Sequence, residues 1–128
     1  MKKIQIYDTT LRDGMQGEGI SLSSAGKIRL ALKLDEYGID FIEGGFAASN
    51  PKDMEFFHEI KKHPLTYSKI VAFGSTRRAR TPVGEDSGTQ KLLEASTEVV
   101  AIFGKSWKLQ ITDVLRTTEA ENRAMIHD

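Results

Sequence analysis

The 128-residue sequence balances 18 lysine and arginine residues against 18 aspartate and glutamate residues, so no net field draws it toward nucleic acid or an anionic membrane. It has no cysteine, which excludes disulfides and thiolate metal ligands and accords with a reducing cytoplasm, where the protein is expected. With 39% hydrophobic and 28% charged residues it has the balance of a globular domain; no apolar run approaches the roughly 20 residues that span a bilayer, and the start, MKKIQIYD, lacks the apolar stretch of a signal peptide.

Lys3 to Asp8 reads as a strand, with Ile4, Ile6 and Tyr7 as strand formers and a Thr-Thr pair at its end. Ser21 to Ser24 offers helix caps, Ile28, Ala31 and Leu32 follow at helical spacing, and Gly38 stands where a helix stops. Phe41-Ile42 is a second short apolar run closed by Gly44-Gly45. Asn50-Pro51 reads as a helix start, with Met54, Phe57 and Ile60 continuing it and Pro64 ending it. Ile70 to Phe73 is a third strand bounded by Gly74, Leu92, Leu93 and Ala95 mark a third helix, and Val99 to Phe103 is a fourth strand bounded by Gly104. Thr118 and Glu121 form a capping box for a last helix. Ser75 to Gly88 is the least regular stretch and is predicted to be a mobile loop.

The pattern is βαβαβαβα, and its short apolar strands are those of a parallel sheet buried on both faces. Two α/β folds suit it. A doubly wound sheet has about five strands; a (β/α)8 TIM barrel needs roughly 250 residues, so four units make half of one. Both place chemistry at the carboxyl ends of the strands, which directs attention to Asp8–Gln16, Glu43–Asn50, Gly74–Arg80 and Gly104–Gln110.

At the first of these, Arg12 and Asp13 stand side by side in a glycine-containing loop. Asp13 has the oxygen chemistry for a hard divalent cation, and Arg12 that for stabilising charge on a reacting oxygen; a solvated turn is the commoner meaning of such a pair. The run Arg77-Arg78-x-Arg80 suits either the phosphates of a ligand or a solvated loop face. Gly14-x-x-Gly17-x-Gly19 is not the dinucleotide-binding order. A phospho-acceptor signalling domain needs an acid at the end of the third strand, where this chain reads Phe73-Gly74-Ser75-Thr76-Arg77.

The whole string DTTLRDGMQ at 8–16 resembles the first-strand motif of the family that includes 2-isopropylmalate, homocitrate and citramalate synthases and hydroxymethylglutaryl-CoA lyase. The resemblance continues through Ile42-Glu43-Gly44-Gly45-Phe46, Ser49-Asn50-Pro51-Lys52-Asp53, Phe73-Gly74-Ser75-Thr76-Arg77-Arg78 and Ile102-Phe103-Gly104-Lys105-Ser106-Trp107. It covers nearly the whole chain and is nearest to the citramalate-forming branch. It implies a metal-dependent TIM-barrel acyltransferase that joins acetyl-CoA to a 2-keto acid, here pyruvate, in branched-chain amino-acid biosynthesis. Residues 1–128 are then expected to be the amino-terminal portion of the catalytic barrel, truncated before the rest of its active site.

The resemblance implies a role for each matching residue. Arg12 would be catalytic, at the reacting oxygens; Asp13 would be a ligand of a divalent ion (Zn, Mn or Mg); Gln16 would lie beside substrate. Glu43 is read as the partner that orients Arg12, against an exposed loop glutamate. The family completes its metal site with a His-x-His pair, whereas this sequence has only His58, His63 and His127, expected to be surface or packing residues. The catalytic glutamate and keto-acid-binding threonine are expected on later strands. Gln110 stands where relatives carry a histidine and is assigned to substrate; it hydrogen-bonds but carries no proton at neutral pH. A structural role is expected for Trp107. Half a barrel has open sheet edges, so homo-oligomers are predicted over monomers.

Overall fold

The computed structural model describes residues 4–49 and 51–128. Among these residues, strands and helices alternate as β1 (Tyr7–Asp8), α1 (Ser24–Glu36), β2 (Phe41–Phe46), α2 (Pro51–Ile60), β3 (Lys69–Ser75), α3 (Ser87–Ala95), β4 (Val99–Phe103) and α4 (Glu119–His127). All three strand pairings are parallel, and the spatial order is β1-β2-β3-β4. Successive right-handed crossovers advancing in one direction put every helix on the same face of the sheet. A doubly wound sheet reverses its strand order partway and has helices on both faces. The observed order is therefore that of a partial (β/α) barrel.

The local signals have identifiable causes. Ser23 caps α1 by accepting from the Gly26 amide at 3.1 Å, and the chain leaves that helix through Gly38 at φ +77°. Thr118 caps α4 by accepting from the Glu121 amide at 3.1 Å. The predicted Asn50 cap lies outside the described residues, as does the Lys3 start of the first strand.

Four expectations are corrected. Among the described residues β1 is only two residues long, and the Ile6 amide before it donates to the Asp40 side chain rather than to a strand. β2 and β3 continue through the glycines read as their ends. These glycines serve close packing: a Cβ on Gly44 would enter the Phe56 ring, and one on Gly74 would lie 2.6 Å from Leu92 Cδ1. α2 ends at Ile60, before Pro64. A π-helical turn over Gln110–Val114, which no sequence signal announced, follows β4.

The fourth correction concerns 75–88, which is tied down at several points. Buried Asp86 accepts from the Arg78 amide at 3.0 Å and caps α3 through the Thr89 amide at 2.8 Å. Burial raises the Asp86 pKa, but hydrogen bonds from Thr89 and Arg78 outweigh it and hold the carboxyl below its ordinary value. Asp35 does the same beneath β3, accepting from the amides of Thr66, Tyr67 and Ser68 at 2.7–2.8 Å. Its pKa is likewise lowered against the effect of burial.

The core lies between the helices and the sheet. Phe56 and Phe57 of α2 are fully buried, with Ile42 of β2, Ala72 of β3, Ala31 of α1 and Leu92 of α3 packed in the same cluster. Each such phenylalanine contributes about 1.5–3 kcal/mol by burial. Leu11, also fully buried, anchors the loop after β1 into this core, and so fixes the residues on either side of it.

Candidate active site

The loop after β1 is built by its own polar groups. The Asp8 carboxylate accepts from the Thr10 amide at 2.9 Å and its hydroxyl at 3.0 Å, a local turn device of short polar side chains. The amides of Arg12, Asp13 and Gly14 then converge on the Thr9 carbonyl at 2.8–3.2 Å. With Leu11 buried beneath, Arg12 is projected over the carboxyl ends of the strands.

Its guanidinium is held on three sides. Nε donates to Glu43 Oε2 at 2.7 Å, and Nη1 donates to Asp13 Oδ1 at 2.9 Å. The Phe73 ring of β3 lies under the guanidinium carbon, 4.2 Å from it, a favourable cation–π arrangement. The Glu43 side chain is 3% exposed and that of Arg12 19%, so the pair sits in a medium where its attraction is poorly screened. The exposed-loop reading of Glu43 is overturned. Nη2 has no partner among the described residues, and so keeps donors for a bound anion or carbonyl.

Glu43 has a second donor: the Tyr7 hydroxyl gives a hydrogen bond to its other oxygen, Oε1, at 2.9 Å. Burial, then the bond to Glu43, raises the Tyr7 pKa well above the ordinary tyrosine value, so the phenol remains a donor through neutral pH. Sequence reasoning took Tyr7 only as a strand former. The parallel register brings Tyr7 beside Phe41, two residues from Glu43, and that register is not written in either strand alone.

A cleft of about 250 Å³ opens beside Arg12, lined by Gln16, Phe46, Ser49, Lys52 and Asp53 among others. Its far wall is set by a buried ion pair, Lys27 Nζ of α1 to Asp53 Oδ1 of α2 at 2.8 Å. Asp53 Oδ2 accepts from the Phe46 amide at 3.0 Å and from Ser49 Oγ at 3.2 Å, which fixes the loop between β2 and α2. Asp53 belongs to a motif that carries the resemblance but was given no role from sequence, and Lys27 was not singled out; only their packing makes them partners.

Arg12, Asp13, Gln16 and Glu43 are thus brought together, and the other candidates are not. Gln110 opens the π-helical turn after β4, three strands from β1, about 14 Å along the sheet; nothing among the described residues joins it to Arg12. Arg77 is a correction as a phosphate ligand. It is buried, with Nε on Asp128 Oδ2 at 2.6 Å and Nη1 on Glu121 Oε1 at 2.8 Å and the Arg78 carbonyl at 3.1 Å. Arg78 and Arg80 are exposed. Trp107 is 61% exposed rather than structural, while His58, His63 and His127 lie at the surface.

The donor set fits a metal only in part. Asp13 is 61% exposed, with one oxygen on Arg12, and its second oxygen has no partner among the described residues. It suits one position of an oxygen-liganded divalent ion. No group of three or more histidine, aspartate or glutamate residues that could hold a metal occurs among the described residues. Nor, among them, is any helix long and apolar enough to cross a membrane.

Comparison with known proteins accords with this geometry. Residues 3–128 match the HMGL-like family. The chain is 54% identical over 127 residues to an (R)-citramalate synthase of Aquifex aeolicus and 50% identical to one of Sulfolobus acidocaldarius, covering 99% of this chain and 24% of each relative. A 2-isopropylmalate synthase of Listeria welshimeri is 38% identical over 127 residues, with 98% of this chain and 24% of the relative covered. The chain therefore spans about a quarter of the length of these relatives. A crystal structure of hydroxymethylglutaryl-CoA lyase from Pseudomonas aeruginosa superposes with a TM-score of 0.73 at 23% identity, covering 98% of this chain and 40% of that one, a likeness of fold.

Proposed function

Taking as premise that the chain belongs to the HMGL-like family, we propose that it carries the arginine-and-aspartate part of a site that condenses acetyl-CoA with pyruvate to form citramalate. The observation that carries this reading is the Arg12 guanidinium, pinned by buried Glu43 and by Asp13 beside a cleft that Arg12 lines, with Nη2 unpartnered among the described residues. The higher identity to citramalate synthases than to a 2-isopropylmalate synthase supports pyruvate over larger keto acids. Residues 1–128 are proposed as the amino-terminal portion of the catalytic barrel domain.

The chemistry requires loss of a proton from the acetyl methyl to a base, attack of the resulting enolate carbon on the keto carbon of pyruvate, and protonation of the new alkoxide. Water then cleaves the thioester, releasing coenzyme A as free thiol. Negative charge grows on an oxygen in both carbon steps. A guanidinium stabilises it without titrating, and one already held in place needs no reorganisation at the moment of reaction. Arg12 is proposed for that role, with Gln16 beside the substrate. Asp13 is proposed as one ligand of a divalent ion (Zn, Mn or Mg), which when bound polarises a carbonyl oxygen. Arg78 and Arg80, exposed near the rim, are the cations offered to coenzyme A phosphates.

Self-association is proposed as well. Among the described residues β1 and β4 are the edges of the sheet, and Tyr7, Ile102 and Phe103 on them are exposed, which favours pairing with further strands. Light scattering checks this: a persistent monomer of the 128-residue chain counts against it. The functional reading is tested by thiol release from acetyl-CoA in the presence of pyruvate and a divalent ion. Release is expected from the longer protein that carries this segment, and it is expected to fall steeply in Arg12→Ala; pyruvate-independent release, or none, would refute the assignment.

A further inference from the structure

We propose that Tyr7 is a positioning residue for Arg12, acting through Glu43. The inference rests on the reading of Arg12 given above and adds a residue to it. Glu43 is buried and accepts one hydrogen bond on each carboxylate oxygen from side chains: Tyr7 Oη on Oε1 at 2.9 Å, Arg12 Nε on Oε2 at 2.7 Å. Two donors on opposite oxygens fix the rotation of a carboxylate about its last bond. With Oε1 held by the phenol, Oε2 points at Nε, and the plane of the guanidinium is set by that contact and by the Phe73 ring 4.2 Å below it. Nη2 is then left without a partner among the described residues, beside the cleft that Arg12 lines.

Without the Tyr7 hydroxyl, a buried carboxylate oxygen loses its donor, a costly state. The available remedy is for Glu43 to rotate and take Nη2 of Arg12 in a two-bond fork, the geometry a carboxylate and a guanidinium prefer. That rotation would withdraw the very donors the site offers. Tyr7 thus keeps the Arg12–Glu43 pair from closing on itself. The ring also packs on Phe41, with centroids 6.1 Å apart, and this contact is independent of the hydroxyl. Removing the hydroxyl alone therefore separates positioning from packing.

The test is Tyr7→Phe in the 128-residue chain, read by nitrogen-15 NMR of the arginine side chains. The Arg12 Nε–H signal is expected to shift and the exchange of the Nη2 protons with water to slow about tenfold as Glu43 takes them, while backbone signals of α2 and β3 stay in place. An Arg12 signal in Tyr7→Phe identical to wild type would overturn the proposal and leave Tyr7 a packing residue. Should the variant not fold, the wild-type protein decides: a slowly exchanging Tyr7 hydroxyl proton is expected, and its absence at low temperature overturns the proposal equally. Thiol release from acetyl-CoA with pyruvate and a divalent ion, measured in the longer protein that carries this segment, separates the two readings: none there would count against the condensation site, whereas the Nε–H comparison would still stand or fall alone.

Discussion

Two arginines stand at the tops of strands in this protein, and their surroundings give them opposite characters. Arg12, after β1, meets Glu43 through Nε and Asp13 through Nη1, and its Nη2 has no partner among the described residues. Arg77, after β3, meets Asp128, Glu121 and the Arg78 carbonyl, and its side chain is 8% exposed. The first is a donor held in readiness beside a cavity. The second is a clamp that joins the β3 loop to both ends of α4: to Asp128 at its carboxyl end and to Glu121 in its first turn, which also takes the Arg80 amide at 2.9 Å. A guanidinium is available for chemistry only where the protein leaves some of its five N–H groups unmatched.

The sharpest way to break this contrast is to delete each arginine in turn. Arg12→Ala is expected to lower thiol release by about 10²–10³-fold, the usual effect of losing one donor to a developing oxyanion. Arg77→Ala should leave the rate per folded molecule nearly unchanged and lower the melting temperature instead. If both variants lose activity alike while folded, the distinction fails.

Next in size is the cap that orders the Arg77 side of the molecule. Asp86→Ala removes the acceptor for both the Arg78 and Thr89 amides, and should cost about 1–2 kcal/mol in denaturant unfolding. Acid should produce a related loss. The folded-state pKa values of Asp86 and Asp35 lie below the ordinary one, so each contributes stability that is complete above its unfolded value of about 3.9. That stability disappears as pH falls through the folded value. Melting temperature measured from pH 6 down to pH 2 should fall, and Asp86→Asn should flatten part of the slope.

The smallest expected effect is local. Arg77→Gln should speed amide exchange at Arg80, whose N–H bonds to the Glu121 carboxylate that Arg77 holds, while leaving Arg12 Nε–H untouched. Equal changes at both places would mean that the two regions form one cooperative unit rather than two.

Much of this was readable from the chain alone. The capping serines and threonine, the stop at Gly38 and the fourth strand up to Gly104 are dictated within a few residues, by hydrogen bonds and dihedral preferences that neighbours supply. The motif at 8–16 also marked Arg12 and Asp13 as the pair to watch. Other features were misread for physical reasons. Gly44 and Gly74 looked like strand ends because glycine breaks isolated strands; here it makes room for Phe56 and Leu92. The stretch 75–88 looked mobile because its composition is polar, yet Asp86 and Arg77 find buried partners.

The sequence by itself determined the alternation of strands and helices and the loops at which polar groups gather, since both arise from contacts among near neighbours. Only the tertiary structure decided that the strands lie in the order of a barrel, that Tyr7 reaches Glu43, and that Arg12 rather than Arg77 keeps free donors. Those outcomes depend on partners 31 residues away for Arg12 and 44 and 51 away for Arg77. Such partners meet only once the sheet has set its register and the helices have packed against it.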